Sequence, residues 1–441
     1  MVHEVYDKSI IFNVGESVDL DRFILALYYQ ENTNTVDHIA TIESSYSETS
    51  TGTWVHIPGF NDIKEQFSTK VLATFAVPSR EDPAIKKAVV LAAFPVDLIG
   101  HNLPMLLSGA VGNITTIDGL YRLGDFIFPK SFVKETFKGP KFGVPGLREM
   151  LKEPKRPLTM AMVKPKAGLA VGDVAKQCYE LAMGGVDIIK DDEMTSESPP
   201  RPREARLKKV MEALDKAKSE TGKKVIFTVN VTDRTDKIVE IAEKCIEWGA
   251  NGIMVNQYPT GITSLQALSE DPSINVPLLA HPCMSGILFR GQTGIDDAAL
   301  QKMVRLCGAD ISIFPSAWGK LATLPLESYV RSGVALLAPL YDIKAAWPAP
   351  GGGVYQGLIP AAVDEFGYDI IAAAGGPYAG HPMGPRAGAK SFRQAIDAVM
   401  KDIPLEEYAK THPELKAALE RWGIFKRPEQ AFFDPKKKWG G

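Results

Sequence analysis

From residue 157 onward the chain alternates apolar runs of strand length with amphipathic runs of helix length, and this repeat constrains the fold more than any other feature. Strand candidates occupy 158–165, 187–193, 224–231, 252–256, 277–282, 310–316, 345–351 and 369–376. Between them, 203–221 and 236–248 carry apolar residues at three- and four-residue spacing. Segments 298–306 and 359–366 are shorter helical candidates, and 387–400 follows the last strand. Several strands are apolar almost to their last residue, as burial on both faces requires. Eight such units over about 250 residues predict a (β/α)8 TIM barrel in preference to a doubly wound open sheet.

The first 150 residues read differently. Strand-like 70–77 and 88–94 mix with a helix expected near 20–29, which predicts a separate N-terminal α+β domain over 1–150. The Gly-, Pro- and Lys-rich stretch 140–154 marks the junction, and 151–441 is the barrel with a helical tail, in which 405–422 reads as helical and caps the barrel. The charge balance of 50 Lys+Arg against 53 Asp+Glu excludes a strongly basic nucleic-acid or membrane-surface binder. No apolar run reaches the roughly 18 residues of a spanning helix. The opening MVHEVYDKS has no signal-peptide core, and the four cysteines lie far apart with no CxxC pair. Both features predict a cytoplasmic protein with reduced thiols.

Catalytic groups of such a barrel collect at the C-terminal ends of its strands. Strand one ends in Lys164-Pro165-Lys166, strand two in Lys190-Asp191-Asp192-Glu193 and strand five in His281. Strand six runs on to Lys320, strand seven ends in Gly351-Gly352-Gly353, and strand eight in Gly375-Gly376. Lys190 and Asp192 share a strand face by the period of two, and Glu193 joins them only where the strand turns. Two carboxylates so close call for a cation, and oxygen ligation suits Mg²⁺. Lys190 has two readings: an ammonium that neutralises the acids, or a neutral amine that captures CO2 as a carbamate. A charged loop with internal ion pairs would carry the same letters. Lys164 and Lys166 are expected to raise each other's charging cost, lowering a lysine pKa toward proton-transfer duty. The glycine pairs suit a phosphate held by backbone N–H groups, although plain turns use glycine too. His281 alone would pass for a core histidine, and His381 is expected to stabilise the loop after strand eight.

These residues resemble, in order and over nearly the whole chain, the large-subunit family of ribulose-1,5-bisphosphate carboxylase/oxygenase (RuBisCO), and more closely its RuBisCO-like proteins. The resemblance rests on Glu48 with Ser50-Thr51-Gly52-Thr53-Trp54, on Asn113, and on Phe142-Gly143-Val144-Pro145-Gly146-Leu147-Arg148. It continues through Lys164-Pro165-Lys166, Lys190-Asp191-Asp192-Glu193, His281, Gly319-Lys320, Gly352-Gly353, Gly375-Gly376 and Gly380-His381-Pro382. It implies that carbamylated Lys190, Asp192 and Glu193 hold Mg²⁺, which stabilises an enediolate of a keto-hydroxy substrate. Lys164 or the carbamate would move the proton with Lys166 and His281 nearby, and Lys320 would close over the substrate on a loop. Thr53, Trp54, Gly353, Gly375 and Gly376 would hold one phosphate. Glu48, Thr53, Trp54 and Asn113 would come from the second subunit of a homodimer.

Three positions depart from the carboxylases' second phosphate site. Pro282 replaces the arginine after the strand-five histidine, Ser312-Ile313-Phe314-Pro315 lacks the strand-six histidine, and Gly351 replaces a serine. Each lost charged hydrogen bond is worth about 1.5–3 kcal/mol. The expectation is therefore an enzyme that enolises a keto-sugar or keto-sugar-acid monophosphate, as the methionine-salvage enolase, isomerase and decarboxylase relatives do. Ribulose-1,5-bisphosphate carboxylation and a non-catalytic binding protein on the same scaffold are the alternatives.

Overall fold

Short runs of aliphatic residues with almost no exposed atoms build the centre of the molecule. In this computed structural model, residues 18–32, 38–52, 57–78, 84–319 and 324–427 are described. The N-terminal strands are β1 (Phe23–Asn32), β2 (Lys70–Val77), β3 (Lys86–Pro95) and β4 (Leu120–Ile127). The barrel strands are β5 (Leu158–Met162), β6 (Ile188–Lys190), β7 (Ile226–Asn230), β8 (Ile253–Asn256), β9 (Leu278–His281), β11 (Ile311–Pro315), β12 (Trp347–Gly351) and β13 (Ile371–Ala374). Between β9 and β11, the two-residue β10 (Gly294–Ile295) leaves the barrel and pairs in parallel with β4, joining the two halves.

All eight expected barrel strands form, each shorter than its expected run, β6 by more than half. They hydrogen-bond in the order β12-β11-β9-β8-β7-β6-β5-β13, every ladder parallel. The ring closes where β12 contacts β13 without a ladder. The cause is in the sequence of β12. Trp347 N–H donates to Asp310 O at 2.8 Å and Gly351 O accepts from Ser316 N–H at 2.9 Å, so these alternate residues face β11. Pro348 and Pro350 therefore face β13 and have no N–H to donate.

Inside the ring, Met160, Ile188, Ile226, Leu279, Ile311 and Trp347 pack in one cluster. Helix Gly143–Leu151 plugs the bottom through Val144 and Leu147. Phe142 and Gly143 N–H both donate to Asp310 Oδ1 at 2.7 Å, and Arg148 Nε reaches Asp369 Oδ1 at 2.9 Å. The stretch read as a junction thus contains the helix that seals the barrel floor.

One expectation is corrected and another refined. The segment near 20–29 is not a helix: β1 is the central antiparallel strand between β3 and β4. Leu and Ala are good helix formers, but Tyr28 and Ile24 are buried by pairing on both edges, and tertiary context overrides propensity. The cap over 405–422 is two helices, Leu405–Ala409 and Pro413–Trp422. The ring of Pro413 keeps His412 out of the helical region (φ −125°, ψ 88°).

Candidate active site

The last residue of β6 is Lys190, and the chain turns immediately after it. Alternation sends the next two acids to opposite sides. Asp191 faces the helix layer, where Arg206 Nη2 donates to its Oδ2 at 2.8 Å. Asp192 faces the barrel mouth, and its Oδ2 accepts from Lys164 Nζ at 2.6 Å. Glu193 sits in the turn and accepts from Lys166 and, at 3.2 Å, from Lys190 Nζ. His281 Nε2 lies 3.6 Å from Glu193 Oε2. Lys190 also donates to Asp191 O at 2.7 Å and is wholly buried. Asn230 Nδ2 holds the turn through the carbonyls of Asp192, Glu193 and Thr195 at 3.1–3.3 Å, and Asn256 Nδ2 through that of Glu193 at 3.0 Å.

The electrostatics follow from this packing. Burial pushes the Lys190 ammonium below the ordinary lysine pKa, with Glu193 opposing part of the shift. Burial alone would raise Glu193, but Lys190 and Lys166 hold it far below the usual carboxylate range. Burial first, then the charge of Lys190, keeps the His281 imidazole neutral. The expected depression is corrected for Lys166. Burial tends to lower Lys166, yet its hydrogen bond to Glu193 and the Glu193 charge raise it above the ordinary value. Each lysine meets a carboxylate instead of the other lysine.

The donor set fits a divalent cation only with one covalent change. Among the described residues, no group of three His, Cys, Asp or Glu side chains is arranged to hold a metal. Three ammonium groups (Lys164, Lys166, Lys190) here face two carboxylates. A carbamate on Lys190 would reverse that balance to three anionic groups against two ammoniums and complete an oxygen ligand set suited to Mg²⁺. The lowered pKa of Lys190 increases the neutral amine that reacts with CO2.

A cavity of about 1030 Å³ opens over these groups. Lys164, Lys190, Glu193 and His281 line one side of it. Pro282, Ile313, Phe314, Pro315 and Gly351 form an uncharged wall, so the three departures noted in the sequence all face the same space. Gly352, Gly353, Gly375 and Gly376 line the remaining end. Gly352 and Gly353 have φ of 97° and 99°, and no described hydrogen bond uses either N–H. Two glycines here have no room for a side chain: a Cβ on Gly375 would lie 2.7 Å from Lys164 Cε, and one on Gly319 would lie 2.7 Å from Gly353 O.

Glu48 and Asn113 are not brought into this cavity by their own chain. Asn113 Nδ2 donates to Glu48 Oε1 at 3.0 Å on an exposed surface, and neither residue lines the cavity. Thr53, Trp54 and Lys320 lie outside the described residues. His381 supports its loop as expected, with Nε2 3.0 Å from Glu414 O and Nδ1 accepting from Met383 N–H at 3.1 Å. Sequence reasoning missed Asn230 and Asn256, although both end barrel strands and the strand-end signal applied to them equally. It also missed Arg421 and Trp422, which reach the cavity from helix Pro413–Trp422. No strand-end rule finds a residue on a C-terminal helix.

Residues 17–132 match the family described as ribulose bisphosphate carboxylase large chain, N-terminal domain, and 143–422 match its catalytic domain. A ribulose bisphosphate carboxylase-like protein of Archaeoglobus fulgidus is 39% identical over 416 residues, 92% of this chain and 94% of the relative. A 2,3-diketo-5-methylthiopentyl-1-phosphate enolase of Bacillus licheniformis is 38% identical over 347 residues, 77% of this chain and 83% of the relative. The octameric ribulose-1,5-bisphosphate carboxylase/oxygenase of Pyrococcus horikoshii, solved with sulfate, superposes with a TM-score of 0.86 at 31% identity, covering 95% of this chain and 97% of that one.

Proposed function

The chain belongs to the ribulose bisphosphate carboxylase large-chain family, and on that premise we propose that it is an enzyme that enolises a keto-sugar or keto-sugar-acid monophosphate. One observation carries the reading. The cavity pairs a lysine- and carboxylate-rich side with a glycine cradle, while its third wall, Pro282 to Gly351, offers no charged group to a second phosphate. The enolase name of a 38% identical relative supports the same class of reaction.

Carbamylated Lys190, Asp192 and Glu193 would hold Mg²⁺, which supplies a Lewis acid at the substrate's carbonyl oxygen. The chain's own groups do the rest. Lys164 Nζ, now against Asp192, moves the proton at the carbon beside the carbonyl. Neutral His281 offers Nε2 to a substrate hydroxyl, and Lys166 balances the negative charge that develops. The N–H groups of Gly352 and Gly353, with Gly375 and Gly376 beside them, seat the single phosphate. Lys320 closes the site, and Thr53 and Trp54 complete the phosphate contacts.

The protein acts as a homodimer in this reading. The exposed Glu48–Asn113 pair, remote from its own chain's cavity, completes the partner's site. An octameric relative fits an assembly of such dimers. No helix among the described residues is long and apolar enough to cross a membrane. The widely spaced free cysteines suit a cytoplasmic location, which is part of the proposal.

The test is substrate choice in D2O. Keto-pentulose monophosphates should lose the proton beside the carbonyl by NMR, while ribulose 1,5-bisphosphate with labelled CO2 yields no labelled 3-phosphoglycerate. Labelled 3-phosphoglycerate would establish the carboxylase instead.

A further inference from the structure

The glycine end of the cavity has backbone donors, but a phosphate dianion also needs positive charge that is not already neutralised. Among the described residues, the lysines and arginines lining the cavity are Lys164, Lys190 and Arg421. Lys164 is paired with Asp192, and Lys190 with Glu193. Arg421 has no ion-pair or hydrogen-bond partner among the described residues.

Its helix is firmly placed. Glu414, in the first turn of Pro413–Trp422, accepts from Lys390 Nζ at 2.6 Å and Gln394 Nε2 at 2.8 Å. Leu415 N–H donates to Gln394 Oε1 at 2.9 Å. Just past the last turn, Phe425 N–H donates to Gly357 O at 3.1 Å. Trp422 packs beside His381, with ring centroids 6.1 Å apart, in the loop that follows the strand-eight glycines. An arginine in a last helical turn also faces the negative end of the helix dipole, which would account for its charge at any position there. It does not account for an exposed arginine on the wall of the cavity.

We propose that Arg421 is the counter-charge for the phosphoryl group seated on the Gly352–Gly353 and Gly375–Gly376 cradle. The inference rests on the single-phosphate reading above. The planar guanidinium presents two parallel N–H donors that match two phosphate oxygens. Because the helix is fixed at both ends, its backbone need not reorder when the anion arrives.

Inorganic phosphate is the probe, titrated calorimetrically into the full-length protein. R421Q should weaken phosphate binding by about tenfold or more, the worth of a charged hydrogen bond. R421K, which keeps the charge and loses the fork, should recover part of the affinity. K416Q removes an exposed charge from the same helix, outside the cavity wall, and should bind as the unaltered protein does. Equal affinity in R421Q and the unaltered protein overturns the role of Arg421 and leaves the cradle standing. An equal loss in K416Q also overturns it, because a general field would then suffice. If the unaltered protein shows no saturable phosphate binding, the cradle and the role of Arg421 fall together.

Discussion

Lys164 Nζ lies 2.6 Å from Asp192 Oδ2, so the lysine proposed to move the proton and the carboxylate proposed to hold the metal grip one another across the mouth of the barrel. A cation and this ammonium compete for the same oxygen. Lys164→Met should therefore retain or strengthen Mg²⁺ affinity while lowering turnover by about 10²–10⁴-fold, the usual worth of a general acid–base group. Mg²⁺ titration alongside the exchange assay reads both numbers. Loss of metal binding in this variant would show that Lys164 organises the site and does not contest it.

A site shared between subunits, as proposed, predicts complementation. Glu48→Gln and Lys190→Ala homodimers should each be inactive. In a hybrid, one of the two sites carries both changes and the other carries neither. Random reassortment should therefore restore about a quarter of the unaltered activity, since half the dimers are hybrids with one intact site each. No recovery after verified subunit exchange would place Glu48 in its own chain's site or outside catalysis.

At the start of β6, Asp187 accepts from Arg156 Nη1 and Nη2 at 2.8 and 2.6 Å and from Thr159 N–H and Oγ1 at 2.8 and 2.9 Å. Both charged side chains are nearly buried. Asp187→Ala leaves the guanidinium only Glu153, 2.7 Å from its Nε, and the Pro157 carbonyl, and should cost about 3 kcal/mol of stability, measurable by urea unfolding. A cost below about 1 kcal/mol would mean that water reaches Arg156.

Burial raises the carboxyl of Asp297 to about 6, against hydrogen bonds from Ser332 and Gln301 that favour the charged form. The folded protein thus keeps a proton between about pH 4 and 6 that the unfolded chain releases, so this group's contribution falls as pH rises through that window and is flat above it. Relative to Asp297→Asn, the unaltered protein should lose up to about 3 kcal/mol across it. A constant difference from pH 4 to 7 would contradict a protonated Asp297.

The barrel was legible because each strand, buried on both faces, left an uninterrupted apolar run ending in polar residues, and the period of two placed Asp192 inward beside Lys190. The same signals were silent elsewhere. Phe23–Asn32 carries helix-forming Leu and Ala, and only its partners β3 and β4 make it a strand. Lys164 and Lys166 are neighbours in sequence, but each pairs with a different carboxylate, Asp192 or Glu193, from the turn after β6. The laddered-free seam follows from Pro348 and Pro350 once it is known which edge they face. Arg421 reaches the cavity only through the packing of a helix more than 30 residues beyond the last barrel strand.

The account turns on a cation bound through Lys190, Asp192 and Glu193. The most direct measurement is the rate of solvent-deuterium uptake by a keto monophosphate after preincubation with Mg²⁺ and bicarbonate, compared with the rate after EDTA in bicarbonate-free buffer. The account predicts uptake in the first condition, loss of it in the second, and none in Lys190→Ala under either. Equal uptake in both conditions would contradict it.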